Sequence, residues 1–230
     1  KYICNSTFAD CPNLTSVTIP YIRGNHFGQY FKTLIYDSSF QDYGDLSAYV
    51  QIRQAMDYGY AIPKSLKTVT VTGDKIPSNG FLNCTNLTEV ILQNGVSSIG
   101  SSAFAGCVNL TDISIPDSVT SIGEKAFSGC DRLNYTVYGN AYYLGNANNP
   151  YVILNKADSD SITEIEIHSG TKFISNYTFE GTGLTKVTLP DSVTFIGSSA
   201  FADCSSLTDV YYNGTQDQWK AINMNKDNGA

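Results

Sequence analysis

Glu164 and Glu166, in the run SITEIEIH, form the chain's most suggestive catalytic spacing. On a strand, residues two apart face the same way about 6.6 Å from each other. That approaches the carboxylate separation of an inverting glycosidase. The chemistry also needs a cleft that desolvates one acid and raises its pKa, which a flat sheet face does not provide. Only two histidines, His26 and His168, are available, so neither a Ser-His-Asp nor a Cys-His set assembles with confidence. No GxGxxG or phosphate-binding loop is present. The loop ADSDS brings Asp158 and Asp160 together, but one short acidic loop lacks the ligands a calcium ion requires. Six cysteines raise the question of disulfides, and neither histidine lies near a cysteine in sequence as a zinc site would ask. The expectation is no catalytic residue, no metal and no cofactor.

Composition narrows the partners. The 230 residues carry a net charge of −7 with no basic run, which argues against nucleic acid and anionic membranes. No apolar stretch reaches 18 residues, so no membrane insertion is expected. Sixteen Tyr and 19 Gly, with many Ser, Thr and Asn, suit an extracellular β-rich protein. The text opens in mid-repeat, with Ile3 five residues before Phe8 as Ile122 is before Phe127. The expectation is therefore a fragment of a longer chain, whose signal peptide would lie outside it.

The repeat is what positions every candidate residue. Phe81, Phe104 and Phe127 are spaced 23 and 23 apart, Phe179 and Phe201 are 22 apart, and Phe8 belongs to the same set. A fixed period in the twenties marks a solenoid. Six residues after each Phe stands a leucine: Leu14, Leu87, Leu110, Leu133 and Leu207. Leu184 joins after a one-residue deletion, and Leu66 and Ile162 fit without the upstream Phe, giving eight coils. From each leucine the text runs L-x-x-Φ-x-Φ, as in Val90 with Leu92 or Ile113 with Ile115, where Φ is apolar. β-Branched residues in alternation predict a short strand with one buried face, stacked into a parallel sheet. Pro116 and Pro190 end their strands. Val119 with Ile122, and Val193 with Ile196, face inward again; Gly100, Gly123 and Gly197 are expected at turns with positive φ. Ala103, Ala126 and Ala200 leave room for stacked rings.

With the register set, most tempting signals become architecture. Cys11, Cys84, Cys107, Cys130 and Cys204 each follow the repeat Phe by three residues, so they read as free, buried thiols in a column, poorly aimed for bridging. Cys4 occupies the turn position of Gly100. The Asn-Leu-Thr sequons at Asn13, Asn86 and Asn109, and the sequon at Asn213, read as asparagines bonding turn backbone rather than as glycan sites. The outward column after each leucine remains for function. Its C-terminal part gathers Glu164, Glu166, Lys186, Asp209 and Tyr211, with His168 nearby, as either a binding patch or a solvated face in which Lys186 bridges two acids.

Two insertions break the rhythm, at about 21–62 and 137–157. The first is aromatic-rich (Phe27, Tyr30, Phe31, Tyr36, Phe40, Tyr43, Tyr49), and the spacing of Leu46, Tyr49, Val50 and Met56 predicts a helix over 45–56. Its aromatics are read mainly as packing, with Tyr58 and Tyr60 as the exposed contact candidates. The second, AYYLGNANNPYVILNKA, predicts a hairpin flap, and from about residue 213 Trp219 and Ile222 begin an end cap.

The pattern LTxIxIPDSVTxIGxxAFxGCxxL, the NAYYLGNANNPYVIL insertion and the Cys position resemble the BspA-like leucine-rich repeats of bacterial surface proteins across nearly the whole chain. The resemblance implies one domain over 1–230: a right-handed leucine-rich repeat superhelix of about eight ~23-residue coils, with a parallel sheet on one face. It implies a secreted or surface-attached protein of host-associated bacteria that adheres to a host extracellular matrix protein or glycan. It carries over no catalytic residue and no fixed ligand. A spacer that projects another domain is the alternative role, and a carbohydrate-active enzyme built on Glu164 is a remote one.

Overall fold

A computed structural model describes residues 7–20, 27–35, 48–53, 58–158 and 162–225. They fall into two compact units, Lys1–Ile113 with Ser118–Leu133, and Ser114–Asp117 with Asn134–Ala230.

In the first unit the L-x-x-Φ-x-Φ text folds as predicted. Strands Ser16–Ile19, Thr68–Val71, Glu89–Leu92 and Asp112–Ser114 form one parallel sheet, with Val17 opposite Val69 and Val69 opposite Val90. A second parallel sheet, not anticipated as strands, runs through Lys75–Ile76, Ser98–Ile99 and Ser121–Ile122. On the remaining side the turns also bond coil to coil, the amides of Phe81 and Phe104 donating to the carbonyls of Ala103 and Ala126. Phe81 stacks on Phe104 at 5.1 Å and Phe104 on Phe127 at 5.5 Å, with ring planes 7° and 3° apart. Each such contact adds about 0.5–1.5 kcal/mol beyond plain burial.

The first insertion extends this stack. Phe27 lies 5.0 Å from Phe81 and 5.2 Å from Phe31, and Phe31 lies 5.9 Å from Phe8. Phe27, Tyr30 and Phe31 are fully buried, so these aromatics pack, as read from sequence. Tyr36, Phe40, Tyr43, Leu46 and Met56 lie outside the described residues. The helix expected over 45–56 is wrong: Tyr49–Arg53 is a strand, paired antiparallel with Tyr58–Pro63, whose other edge holds Lys32–Ile35. Tyr49, Val50 and Ile52 are strand formers, and the open edge of Tyr58–Pro63 overrides the helix-like spacing.

In the second unit the long strands Glu164–Glu166, Lys186–Leu189 and Asp209–Tyr212 form a parallel sheet. Thr136–Tyr138, expected as one more parallel rung, instead pairs antiparallel with Ala141–Leu144. The NAYYLGNANNPYVIL text does form a hairpin, Ala141–Leu144 against Ile153–Ala157, but it is not a free flap. Ile153–Ala157 pairs parallel with Phe173–Ile174, followed by Phe195–Ile196 and Asn223–Met224, so the hairpin is a rung of the short-strand sheet. Asn146 pins the hairpin tip: its Oδ1 accepts from the amides of Asn148 and Asn149, and its Nδ2 donates to the Ile115 carbonyl at 2.8 Å. Where an end cap is expected, a short helix follows the last long strand. Helix Gln216–Ala221 starts at a Thr215–Gln218 capping box, Ile222 is buried, and Trp219 packs against the core.

The glycine expectation needs correcting. Gly100, Gly123 and Gly197 do not have positive φ; a Cβ on Gly100 would overlap the backbone nitrogen of Ser78, and one on Gly123 that of Ser101. These glycines allow coils to touch. Positive φ falls instead two residues before the Phe position (Asn79, Ser102, Lys125, Tyr177, Ser199) and two after it (Asn83, Gly106, Gly129, Gly181, Asp203). Gly100→Ala and Gly123→Ala are each expected to cost about 3 kcal/mol or more in chemical denaturation. Gly139→Ala, at φ +57 in open space, is expected to cost only about 1 kcal/mol.

Candidate functional site

The inward residues of the second unit's long strands fix where the outward ones go. Ile165, Val187 and Leu189 are buried, so Glu164, Glu166, Lys186, Thr188, Asp209 and Tyr211 face outward. The register sets them in two rows, Glu164–Lys186–Asp209 and Glu166–Thr188–Tyr211. The face predicted from sequence is therefore assembled. Lys186 Nζ lies 3.3 Å from a Glu164 carboxylate oxygen, and 5.8 Å from the centre of the Tyr211 ring. Lys186 does not bridge both acids, since the pair it makes is with Glu164, whereas the Asp209 carboxylate accepts from its neighbour Thr208 at 2.9 Å.

His168 stands beyond Glu166, with Ile167 buried between them. Its Nδ1 accepts from the Gly170 amide at 3.0 Å. Its ring stacks on Tyr151 at 3.6 Å and meets Tyr138 edge-on at 5.0 Å. Tyr138 remains 40% exposed, and Tyr143, packed behind it, has its phenol pushed up to about 12 by burial. Lys156 Nζ lies 5.0 Å from the ring centres of both Tyr135 and Tyr142. Sequence reading missed this aromatic group. Its signal was the Tyr density of YTVYGNAYYLGNANNPY, which had been absorbed into the hairpin.

Other candidates resolve differently. Tyr60, expected to be exposed, is 5% exposed, because it lies on the central strand of its sheet with its ring against Gly28. Tyr58 opens that strand, and its side chain lies outside the described residues. Glu164 and Glu166 are both exposed. Asp158 is exposed and Asp160 lies outside the described residues. Among the described residues no three His, Cys, Asp or Glu side chains converge as metal ligands, and no helix is long and apolar enough to cross a membrane.

The cysteine column is as predicted at Cys84, Cys107, Cys130 and Cys204, which are buried and in no disulfide; Cys11 is in no disulfide but is exposed, and Cys4 lies outside the described residues. Three thiols donate to the carbonyl of the preceding coil's Phe: Cys107 to Phe81, Cys130 to Phe104 and Cys204 to Phe179, at 3.0 to 3.1 Å. Thr182 takes the cysteine position in its coil and donates to Phe179 at 2.8 Å. Burial pushes the Cys84 thiol up, and a hydrogen bond to Cys130 together with burial does the same for Cys107. Two of the sequon asparagines bond backbone as expected, Asn86 reaching the carbonyls of Pro63 and Leu66, and Asn109 that of Thr85.

A family model described as the BspA type leucine rich repeat region matches residues 59–147 and 156–223 in six copies. No curated protein matches the chain. Among solved structures, a leucine rich cell surface protein from Faecalibacterium prausnitzii is 20% identical, with 78% of this chain and 89% of that chain covered and a TM-score of 0.26. The pneumococcal vaccine antigen PcpA is 19% identical over 64% of this chain and 40% of its own, with a TM-score of 0.32. A leucine rich repeat protein of T. pallidum is 22% identical over 66% and 65%, with a TM-score of 0.33.

Two outcomes are expected. Peptide mapping after labelling of the folded chain with a thiol reagent marks Cys11 and leaves Cys84, Cys107, Cys130 and Cys204 unlabelled until denaturant is added. A double-mutant cycle on Glu164 and Lys186 gives a coupling of about 0–1 kcal/mol, because both side chains are exposed.

Proposed function

Because this chain belongs to the BspA-type leucine-rich repeat family, we propose that it is a non-enzymatic binding module at a bacterial cell surface. The observation that carries this reading is the pair of outward rows, Glu164–Lys186–Asp209 and Glu166–Thr188–Tyr211. They set carboxylates, one ammonium and a 52%-exposed tyrosine on a rigid parallel sheet. Repeat proteins recognise partners along such faces, where a rigid array limits the ordering cost of binding. The partner proposed is a host extracellular matrix protein or glycan. Tyr211 and Tyr138 supply flat apolar surface, and Glu166 and Asp209 supply acceptors for hydroxyls or for basic side chains. The exposure of both Glu164 and Glu166, which leaves neither acid desolvated, favours binding over hydrolysis.

A spacer that projects another domain is the second reading. The pairing of Lys186 with Glu164, and of Asp209 with Thr208, favours it, since a face that satisfies its own charges has less to offer a partner. Surface plasmon resonance of the chain over panels of matrix proteins and glycans separates the two. Saturable binding to at least one panel member is expected. The combined change Glu164→Ser, Glu166→Ser and Asp209→Ser should weaken it at least about tenfold, worth about 1.4 kcal/mol. Binding that ignores the triple change, or no binder at all, leaves the spacer reading standing.

A further inference from the structure

The hairpin has a second face, apart from the Tyr138–Tyr151–His168 group. Its ladder sets Val137 opposite Tyr142 and Tyr142 opposite Lys156, so these three share a row. Tyr143 and Leu154, next to them along their strands, are fully buried, so the row points away from the core. The register shifts between Tyr142 and Tyr143: Tyr143 faces Leu154 while Tyr142 faces Lys156, which leaves Asn155 as an extra residue. Such a bulge re-aims side chains. Here it turns two consecutive residues to one side. Asn155 Nδ2 donates to the Tyr135 hydroxyl at 3.1 Å, and Lys156 Nζ lies 5.0 Å from the centre of that same ring and from that of Tyr142. Asn155 is held from below as well, its Oδ1 accepting from Ser175 Oγ at 3.3 Å.

The lysine so placed is unused. Lys156 is exposed, and among the described residues its ammonium has no carboxylate or hydrogen-bond partner. Asp158, two residues on, makes no ion pair with it. Two ring faces hold the charge in place but leave its three N–H groups without acceptors. Lys186 is the contrast, since it meets a ring and is also paired with Glu164. Among the described residues the Tyr142 hydroxyl is likewise unbonded, and Val137, opposite it, is 58% exposed. One fixed cation in a chain of net charge −7 suits a ligand with a single negative charge, because a polyanion would meet the protein's own carboxylates. The row crosses three strands, about 10 Å, which is the breadth of one or two sugar rings.

We propose that the Tyr135–Val137–Tyr142–Lys156 face of the hairpin binds an acidic sugar, a pyranose that bears one carboxylate. The carboxylate accepts from Lys156 Nζ, a ring hydroxyl bonds the Tyr142 hydroxyl, and an apolar edge of the sugar rests on Val137. Terminal sialic acids and uronic acids share this chemistry. The face lies on the hairpin sheet and the outward rows lie on the long-strand sheet, so neither site depends on the other.

The test is saturation-transfer NMR of the 230-residue chain with the methyl glycosides of N-acetylneuraminic acid, glucuronic acid and glucose. Saturable binding of at least one acidic glycoside is expected, the panel telling which source of the carboxylate is preferred, with the neutral glucoside at least about tenfold weaker. Lys156→Gln should weaken the acidic glycoside by about tenfold or more, the loss of one charge-assisted hydrogen bond. Tyr142→Phe should weaken it less, and Asp158→Asn should strengthen it by removing a neighbouring negative charge. The combined change Glu164→Ser, Glu166→Ser and Asp209→Ser should leave it unaltered, which separates this site from the outward rows. No saturation by either acidic glycoside, equal binding of the glucoside, or binding that ignores Lys156→Gln overturns the proposal. So does acetate competing as well as the sugars, which reduces the site to a bare carboxylate contact, or a glutamate-rich peptide binding in their place, which gives the face to an acidic protein segment.

Discussion

The backbone nitrogen of Ser78 occupies the space a side chain at position 100 would need, and that of Ser101 does the same for position 123. The hydrogen-bonded ladders fix the coil-to-coil distance, and only the absence of a Cβ at these positions lets the turns reach it. At that distance the Phe rings stack at 5.1 to 5.5 Å and three sides of the coil exchange hydrogen bonds at once. The interior is then almost wholly apolar, with Asn86, Thr171, Thr178 and Thr182 the buried polar residues among those described. A coil held on three sides does not tilt against its neighbour, so side chains on its outer face keep fixed spacing without any contribution of their own.

That rigidity explains how much was legible in the sequence. The Phe, Leu and Φ positions recur because stacking requires each coil to repeat the last, and the period therefore discloses the long strands, the buried thiols and the outward rows. What the repeat does not dictate was read less well. The segment 49–53 has strand-forming residues at a spacing that also suits a helix, and only the edge of Tyr58–Pro63 decides between them. Flanking a glycine suggests exposure for Tyr60, yet Gly28, distant in sequence, makes a bed for its ring. The roles of Gly100 and Gly123 were misassigned for a related reason, since a glycine kept for close approach and one kept for positive φ look alike in sequence. Ser102 and Lys125 adopt the left-handed conformation with no compositional sign of it.

At the candidate site the sequence located residues better than interactions. Glu164, Lys186 and Asp209 were expected in one row and are there, but which acid Lys186 joins depends on rotamers and on Thr208 competing for Asp209. The Tyr density of the hairpin text does not disclose the Tyr138–Tyr151–His168 group, because it unites three segments, a diverted rung, the hairpin and a residue two beyond a strand. It arises from the departure of Thr136–Tyr138 from the repeat, and such departures are where a repetitive scaffold acquires individual features.

Thr182 points to what the column beneath the rings selects. A hydroxyl stands there among thiols and reaches the same Phe179 carbonyl that Cys204 reaches from the next coil. The two donors nevertheless bond differently: Thr182 stays within its own coil, whereas each of the three thiols reaches back to the Phe carbonyl of the coil before it. The position therefore asks for a compact donor that can find a backbone carbonyl, and a thiol there ties two coils together where a hydroxyl ties only one.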